Sequence, residues 1–406
     1  MTTLIDKTRS AAGGTPEPDA TTVDQLLSCI AALAPLVAEH TRQIEQDRRL
    51  PTDLVTALKS ARIYSVLVPR RYGGLELDVP STLRATSALA KLDGSVGWNA
   101  MIGQVGSLLP FLTTPTLCER IFGDGKDHIL AGSGQPAGRA ERTPGGWKVT
   151  GSWPFASGCQ NAEWIMGNCV MMEDGSPIPA SDASGPMIRA CLMPAGHWDI
   201  HDTWHTFGLR GTGSHDVELR DVFVPDSNFF EFPFGSSFAP DPIFGKVFEV
   251  ALLLHGAFSV GVAEGAIADL VALAASGLKQ QRMTVPLAET DRFKESLARL
   301  DTELRATRAL LAAEADRIWC DRERAAAKSM NDLAGLQGVA AWITSACVHV
   351  VEGCFELAGS RAVYETSSLQ RRMLDLRVGA THAAVHPRNY VSAGAAAASR
   401  IENARE

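Results

Sequence analysis

The chain has 406 residues, of which 45% are hydrophobic, and it carries a formal net charge of −8 with a pI near 5.7. A chain of this length and composition can bury an ordinary core in two or three domains or in one large multi-layer unit. The acidic balance, without a long Lys/Arg block, excludes the electrostatic footprint of a general nucleic-acid-binding protein. We therefore expect a globular protein that has no nucleic-acid partner.

Residues 20–128 have a helical pattern. Leu26, Ile30, Leu33 and Val37 recur at steps of three and four residues, which places them on one helix face. The segment 68–74 combines a proline with a pair of glycines, and these residues interrupt a helix. This region predicts an N-terminal helical domain with a loop at that segment.

Residues 129–235 have a different composition, because Gly and Pro become dense there. Short runs of β-type residues stand between the turn signals, at 147–150, 164–166 and 217–224. Such runs are typical of short strands. They predict a central β domain, built as a small antiparallel sheet or a barrel.

Residues 240–400 return to a helical pattern. Apolar residues form one stripe along a long helix that begins near Thr290. The stripe contains Phe293, Leu297, Leu300, Leu304, Leu311 and Ile318. With the Ala- and Gly-rich stretches at 251–275 and 334–359, it predicts a C-terminal four-helix bundle that could also form an oligomer interface. The fold class is therefore α+β and mostly α.

The stretch 247–275 is apolar, but four polar or charged residues interrupt it too often for a membrane span of about 20 residues. We expect a buried bundle helix there and no membrane partner. Residues 1–20 lack the apolar stretch of a secretory signal, and the eight cysteines are scattered without a Cys-x-x-Cys pair. Reduced thiols, no metal site and a cytoplasmic location are expected.

Five motifs follow one another along the chain in a fixed order. They are Val68-Pro-x-x-Tyr-Gly-Gly74, Gly151-Ser-Trp-x-Phe-Ala-Ser-Gly158, Trp204-x-x-x-Gly-Leu-Arg-Gly-Thr-Gly-Ser214, Val222-Phe-Val-Pro225 and Asp375-Leu-Arg-Val-Gly-Ala-Thr-His382. Together with the helical, β, helical order, the chain from about residue 50 to residue 395 resembles the acyl-CoA dehydrogenase fold. Within that fold it resembles the two-component flavin-dependent monooxygenases of group D.

The resemblance implies a set of cofactor-binding residues. Phe155 and Ser157 match positions that contact the flavin ring in related enzymes, although by composition alone the segment is a strand with a buried Phe and a Ser-Gly turn. Arg282 matches a loop arginine that binds flavin phosphate, and a solvated loop charge is an equal alternative. Gly359 and Ser360 match a Gly-rich turn near the phosphate or adenine side of the cofactor.

His382 stands where a dehydrogenase of this pattern would keep a catalytic carboxylate. Asp375 is the only acidic residue within 366–401, so no glutamate is available there. An imidazole can both give and take a proton near neutral pH. We expect His382 to be catalytic, either by deprotonating a substrate hydroxyl or by stabilising the oxygenated flavin. One alternative is that His382 is a structural histidine on a helix face with its hydrogen bonds satisfied. His386, four residues further along, is a second histidine that could be mistaken for the catalytic one.

The resemblance implies an oxygenase component that uses reduced flavin (FMNH2 or FADH2) and O2 to hydroxylate a small aromatic, phenolic or polyketide-like substrate. Ser157 would hydrogen-bond the flavin edge or the substrate oxygen. A separate NAD(P)H:flavin reductase would supply the flavin, and a homotetramer or homodimer is expected. The alternatives are an N- or S-oxygenase, an acyl-CoA dehydrogenase or flavin oxidase with Glu249 or Glu264 as its base, and a flavin-free binding protein.

Overall fold

The computed structural model describes residues 20–180, 185–232, 234–280 and 284–403. Its N-terminal part is helical. The helices are α1 (Ala20–Ala32), α2 (Ala34–Asp47), α3 (Thr52–Ser60), α4 (Val79–Leu92), α5 (Gly94–Gly106) and α6 (Pro115–Phe122). The loop predicted at 68–74 is confirmed, with a short 3-10 turn followed by Gly73 at φ +80°, a conformation that glycine adopts without steric cost.

Helix α5 is the element of this part that matters for the site. Asp93 caps its start, because its carboxylate accepts the N–H groups of Ser95 and Val96 at 2.9 and 3.2 Å. Most of the helix is buried, including Trp98 and Asn99. It is therefore an internal helix rather than a surface helix.

The central part is one sheet. Its strands are β1 (Leu130–Thr143), β2 (Gly146–Ala156), β3 (Trp164–Glu173), β4 (Ser176–Pro177), β5 (Ile188–Pro194), β6 (Asp199–His201), β7 (His215–Pro225) and β8 (Phe229–Phe230). The order is β6-β7-β2-β1-β3-β5-β8, and β4 pairs with β3.

The prediction of an antiparallel sheet was wrong for one pair, because β1 and β3 run parallel. Strand β2 forms a hairpin with β1 and occupies one of its edges. The chain then crosses to the other edge of β1, so β3 arrives there in the same direction as β1. The alternation of apolar and polar residues along a strand does not specify at which edge of the sheet the chain returns.

The C-terminal part contains α7 (Val247–Ala275), α8 (Asp291–Cys320), α9 (Ala334–Ala358), α10 (Ser368–Gly379) and α11 (Asn389–Asn403). The predicted long helix is confirmed as α8. Thr290 caps it by accepting the N–H of Phe293 at 3.2 Å. The predicted stripe is buried along its length except at Leu297, which is half-buried.

Within the described residues, two helical spans, Val247–Ala275 and Ala334–Val363, are long and apolar enough to cross a membrane, or three if the bent pair α1–α2 is counted as one span. In the first two spans, 83% and 67% of the most apolar window is buried inside the protein. Helix α7 packs against α4, α8, α9 and α10. Its apolar surface therefore forms the core of a helical bundle, as the sequence predicts.

Candidate active site

Trp98 of α5 lies at the centre of a group of aromatic and polar side chains. Its indole N–H donates to Ser157 Oγ at 3.0 Å. The rings of Phe258, His255 and His382 meet the indole edge-on, with centroid distances of 5.1, 5.5 and 5.7 Å. The two residues predicted to be catalytic, Ser157 and His382, thus both contact one tryptophan.

His382 lies in a turn and not on a helix face. Helix α10 ends at Gly379, and the His382 N–H bonds back to the Gly379 carbonyl at 3.1 Å. A side chain at Gly379 would have its Cβ 2.9 Å from the ring of Phe258. The glycine therefore allows the end of α10 to approach α7 closely, which brings His382 to the aromatic group.

His382 stacks on His255 of α7, with ring centroids 4.4 Å apart and planes inclined by 27°. The two rings differ in their surroundings. His255 is buried, whereas His382 is exposed on one side of the stack. The imidazole of His382 is therefore accessible to solvent, and the imidazole of His255 is covered by it.

Backbone groups determine which nitrogen of each ring carries hydrogen. Nδ1 of His255 lies 2.8 Å from the Ala251 carbonyl, which can only accept, so Nδ1 carries the hydrogen and Nε2 is a bare lone pair. Nδ1 of His382 accepts the Ala384 N–H at 3.2 Å, so in the neutral ring the hydrogen is on Nε2. Nε2 of His255 is buried, and no hydrogen-bond partner is found for it within the described residues.

Both imidazoles are held neutral. Burial lowers the pKa of His255 to about 4, and the hydrogen bond to Ala251 opposes this only in part. Although one side of His382 is exposed, the protein atoms packed around its ring desolvate it and lower its pKa, and the neighbouring His255 lowers the pKa further. At neutral pH, His382 therefore offers an uncharged N–H donor to the space in front of it.

The end of strand β2 carries Phe155 and Ser157. Phe155 is 60% exposed and has φ +65°, so the alternative of a buried Phe, which composition alone favours, does not hold. Its ring meets Trp204 edge-on at 6.2 Å. Ser157 is only 7% exposed and bonds to Ser214 Oγ at 2.7 Å as well as to Trp98. The strand end thus presents an uncovered aromatic ring next to a mostly enclosed hydroxyl.

Gly359 and Ser360, two of the residues expected on the phosphate side of the cofactor, lie in another part of the fold. Gly359 and Ser360 follow α9, and Gly359 has φ +63°. The Gln280 side chain donates to the Leu357 carbonyl at 2.8 Å, next to this turn. Arg282, two residues after Gln280, lies outside the described residues. The loop before Arg282 and the Gly359 turn are therefore neighbours.

The carboxylates proposed as alternative bases are engaged elsewhere. Glu249 accepts the Ala327 N–H at 3.1 Å, and Glu264 pairs with Arg308 at 3.1 Å. Asp375 was not among those proposed bases, but it is the acidic residue of the motif that ends at His382; it is buried and accepts the Leu209 N–H at 2.6 Å. A dehydrogenase needs a carboxylate poised over the substrate carbon, and none of these three residues is free for that task.

Two residues of the site were not predicted. Trp98 gives no signal in the sequence, because a tryptophan in a buried helix is usually core. His255 gave a weak signal, because it interrupts an apolar stretch. Burying a polar side chain there costs free energy unless it is hydrogen-bonded, so such a residue often has a specific role. Only the packing of α5, α7 and the turn after α10 brings them to the predicted residues.

Comparison with known proteins agrees with this geometry. The family models "Acyl-CoA dehydrogenase, N-terminal domain" and "Acyl-CoA dehydrogenase, C-terminal domain" match residues 29–115 and 253–387. An indole-3-acetate monooxygenase from Acinetobacter baumannii is 30% identical over 332 residues, which are 82% of this chain and 83% of that protein. The oxygenase subunit HsaA, a flavin-dependent monooxygenase from Mycobacterium tuberculosis, is 27% identical over 390 residues, which are 91% of this chain and 94% of that protein.

The structure of XiaF from Streptomyces sp., in complex with FADH2 and glycerol, is similar over the whole fold. Its TM-score is 0.86 at 25% identity, covering 93% of this chain and 96% of that one. The fold, the family models and the relatives all agree. The chain therefore belongs to the acyl-CoA dehydrogenase family, and within it to the flavin-dependent monooxygenases that use reduced flavin and O2.

Proposed function

We propose that the protein hydroxylates a small aromatic or phenolic molecule in the site around Trp98. The observation that carries this proposal is the pair of neutral imidazoles, His382 over His255, where a desaturating enzyme would need an ionised carboxylate. An uncharged N–H donor can hold an oxygen atom by a hydrogen bond without giving it a proton outright. Such a donor suits oxygen transfer better than abstraction of a carbon-bound proton.

The side chains of the site fit a flavin on two observations. Phe155 presents an exposed ring that can lie against a planar ligand, and Ser157 keeps a lone pair beside it. When bound, the reduced flavin supplies the activation of O2. We assign Phe155 and Ser157 to the flavin ring, with Gly359, Ser360 and Arg282 toward its phosphate side.

In this proposal the primary role of His382 is that of a hydrogen-bond donor. Its Nδ1 is occupied by the Ala384 N–H, so Nε2–H is the group that points away from the backbone. The apolar and aromatic neighbours of the pair, Trp98 and Phe258, keep water from the buried side of the site. The role of His382 as a base toward a substrate hydroxyl would require the ring to change tautomer.

The partner and the substrate class are also proposals. The name "oxygenase subunit" of HsaA supports a separate flavin reductase as the partner. The bound FADH2 of XiaF supports FADH2 over FMNH2, and the indole ring in the name of the A. baumannii relative supports an aromatic substrate. The eight free cysteines support a reducing, cytoplasmic location.

Labelled oxygen tests this function. The protein, chemically reduced FAD or FMN and a panel of phenols and indoles are mixed anaerobically and then exposed to oxygen-18 gas, and the products are analysed by mass spectrometry. A product that contains one labelled oxygen atom is expected, because the oxygen comes from O2 and not from water. Products without labelled oxygen, together with desaturation of an acyl-CoA thioester in a parallel assay with oxidised flavin, would contradict the proposal.

A further inference from the structure

Phe155 lies in an irregular part of strand β2, at the edge of the site. Trp153 and Ala156 are three positions apart on β2, whereas their partners on β7 are only two positions apart. Strand β2 therefore contains one extra residue at this point, which makes it a β-bulge. Bulges change the direction in which a side chain points, and they are frequent next to active sites.

The backbone of Phe155 has a left-handed conformation, with φ +65°. Glycine adopts this conformation without steric cost, whereas a bulky side chain is strained there. Burial does not offset the strain, because the Phe155 ring is 60% exposed. Strained residues persist where the surrounding structure holds them, and they cluster at functional sites. The bulge thus presents an aromatic ring at a position where the backbone favours glycine.

Trp204 is the aromatic neighbour that supports this ring. The two rings meet edge-on with their centroids 6.2 Å apart, the one ring-to-ring contact of Phe155 among the described residues. Such pairs are favourable beyond the area that they bury. Trp204 is itself only 9% exposed, and its indole N–H donates to the Leu209 carbonyl at 2.9 Å. A well-held tryptophan therefore lies against an exposed and strained phenylalanine.

Polar groups on both sides fix the backbone of Trp204. Its carbonyl accepts a hydrogen bond from Arg48 at 3.2 Å, and its N–H donates to Nδ1 of His215 at 3.2 Å. The Arg48 guanidinium also donates to both carboxylate oxygens of Asp202, at 2.6 and 2.9 Å, and lies 3.4 Å from His205 Nε2. A bidentate pair of this kind has a defined orientation. Arg48, at the C-terminal end of α2, therefore ties Trp204 to the N-terminal helices.

We propose that Trp204 is a positioning residue for the flavin, which acts by holding the Phe155 ring in place before the cofactor binds. The inference rests on the proposed function, in which Phe155 faces the flavin ring. A side chain that is already ordered loses less conformational entropy when a ligand packs against it. Trp204 therefore strengthens flavin binding through Phe155 rather than by a contact of its own.

A double-mutant cycle on flavin binding tests this proposal. Dissociation constants of dithionite-reduced FAD and FMN are measured by anaerobic calorimetry for the wild type, Trp204→Leu, Phe155→Ala and the double variant. Trp204→Leu should weaken binding about tenfold, the equivalent of one lost aromatic pair. In the Phe155→Ala background the same change should have no further effect, because the ring on which Trp204 acts is gone.

A conservative variant separates positioning from a general loss of structure. Trp204→Phe keeps an aromatic ring beside Phe155. The Leu209 carbonyl then still accepts the N–H and the hydroxyl of Thr212, at 3.1 and 2.9 Å. Trp204→Phe should therefore bind reduced flavin nearly as tightly as the wild type.

Arg48→Ala reaches Trp204 by another route. It releases the Trp204 carbonyl and should weaken flavin binding in the same direction, again only while Phe155 is present. Arg220→Ala is its matched control, because Arg220 of β7 also pairs with one carboxylate through two nitrogens, at 2.7 and 2.8 Å from Glu218. This control should bind flavin as the wild type does.

The strain at Phe155 has its own test. Alanine is normally the more stable replacement, because glycine has more freedom in the unfolded chain. At φ +65° the order should be reversed, so Phe155→Gly should unfold at a higher urea concentration than Phe155→Ala. A lower midpoint for Phe155→Gly would contradict the strained bulge.

The outcomes of the binding cycle separate the possibilities. A loss of affinity in Trp204→Leu that disappears in the Phe155→Ala background supports the proposal. An equal loss in both backgrounds overturns it, as does wild-type affinity in folded Trp204→Leu; if that variant does not fold, Arg48→Ala takes its place in the cycle. Wild-type affinity in Phe155→Ala would instead contradict the assignment of Phe155 to the flavin ring, and the proposal with it.

Discussion

The two stacked histidines show how much a single residue depends on its neighbours. His382 and His255 are both imidazoles, but the Ala384 N–H makes one a donor at Nε2, and the Ala251 carbonyl makes the other an acceptor at Nε2. The motif ending at His382 predicted that this residue belongs to the active site, and the structure brings its ring against Trp98. The role of His255 could not be predicted, because it follows from the contact between α7 and the turn after α10.

Replacing His255 should change how stability depends on pH. Unfolded histidine titrates near 6.5, whereas folded His255 titrates near 4, so between these values only the unfolded state takes up the proton. The free energy of unfolding therefore falls as the pH falls through this window, by about 2 kcal/mol between pH 7 and pH 5 for this group. His255→Phe keeps an aromatic ring in the stack and should remove that part of the decrease.

Urea titrations of both proteins at the two pH values measure this effect. Ser259→Ala on the same helix does not titrate and should lower the free energy of unfolding equally at both pH values. An identical pH dependence in wild type and His255→Phe would show that His255 is not held neutral in the folded protein.

At the scale of elements, α10 and the loop before β7 are joined by Asp375. Its Oδ1 accepts the Leu209 N–H, while Oδ2 is buried without a hydrogen-bond partner among the described residues. Burial, and then the nearby carboxylates of Asp93 and Glu45, raise the pKa of Asp375 well above its usual value. Burial and these neighbouring carboxylates therefore act against the ionised form of Asp375 at the point where it joins the two elements.

Asp375→Asn should stabilise the protein at neutral pH. The amide keeps the acceptor for the Leu209 N–H and removes a group whose ionised form is disfavoured by burial and by Asp93 and Glu45. We expect the free energy of unfolding at pH 7 to rise by about 1 kcal/mol, whereas Asp375→Ala should lower it by about 1–3 kcal/mol because the Leu209 N–H loses its partner. Chemical denaturation measures both changes. A strong loss of stability in Asp375→Asn would show that burial and the neighbouring carboxylates do not disfavour the ionised form of Asp375.

Elements with a local signature could be predicted from the sequence, and contacts between distant elements could not. Helix α8 follows from its apolar stripe and the Thr290 cap, which are encoded within one segment. The parallel pairing of β1 and β3 depends on where the chain crosses the sheet. The bond from Trp98 to Ser157 joins residues 59 positions apart, and no periodic pattern specifies such a contact.

At the scale of the whole molecule, large apolar side chains are exposed beside a groove at α9 and α11. Trp342 of α9 and Tyr390 of α11 line one groove, and the neighbouring Val391 is 78% exposed. Exposed apolar surface of this kind marks interaction sites. We propose that copies of the chain associate through this face, as a homodimer or a homotetramer.

Charge at this face should weaken the association. Trp342→Glu combined with Val391→Asp places carboxylates in the contact, where burying them costs several kcal/mol. Light scattering after size-exclusion chromatography should show a smaller species than the wild type. Phe223→Asp, at an exposed aromatic residue of β7, is the control and should leave the mass unchanged. A wild-type monomer, or an unchanged mass in the double variant, would contradict this interface.

The most direct test of the site is the fate of oxygen in His382→Asn. In single turnovers with reduced flavin, substrate and O2, hydroxylated product and hydrogen peroxide are measured together. Loss of the Nε2–H donor should shift oxygen from product to peroxide and lower the ratio of product to peroxide at least about tenfold. This change is smaller than the rate enhancement that a positioned general acid or base usually contributes.

His386→Asn is the matched control for this measurement. His386 lies in the same turn, and its Nδ1 accepts the Arg388 N–H at 3.1 Å just as Nδ1 of His382 accepts that of Ala384. The ratio of product to peroxide should stay at the wild-type value in this control. A wild-type ratio in His382→Asn as well would contradict the assignment of His382 to the active site.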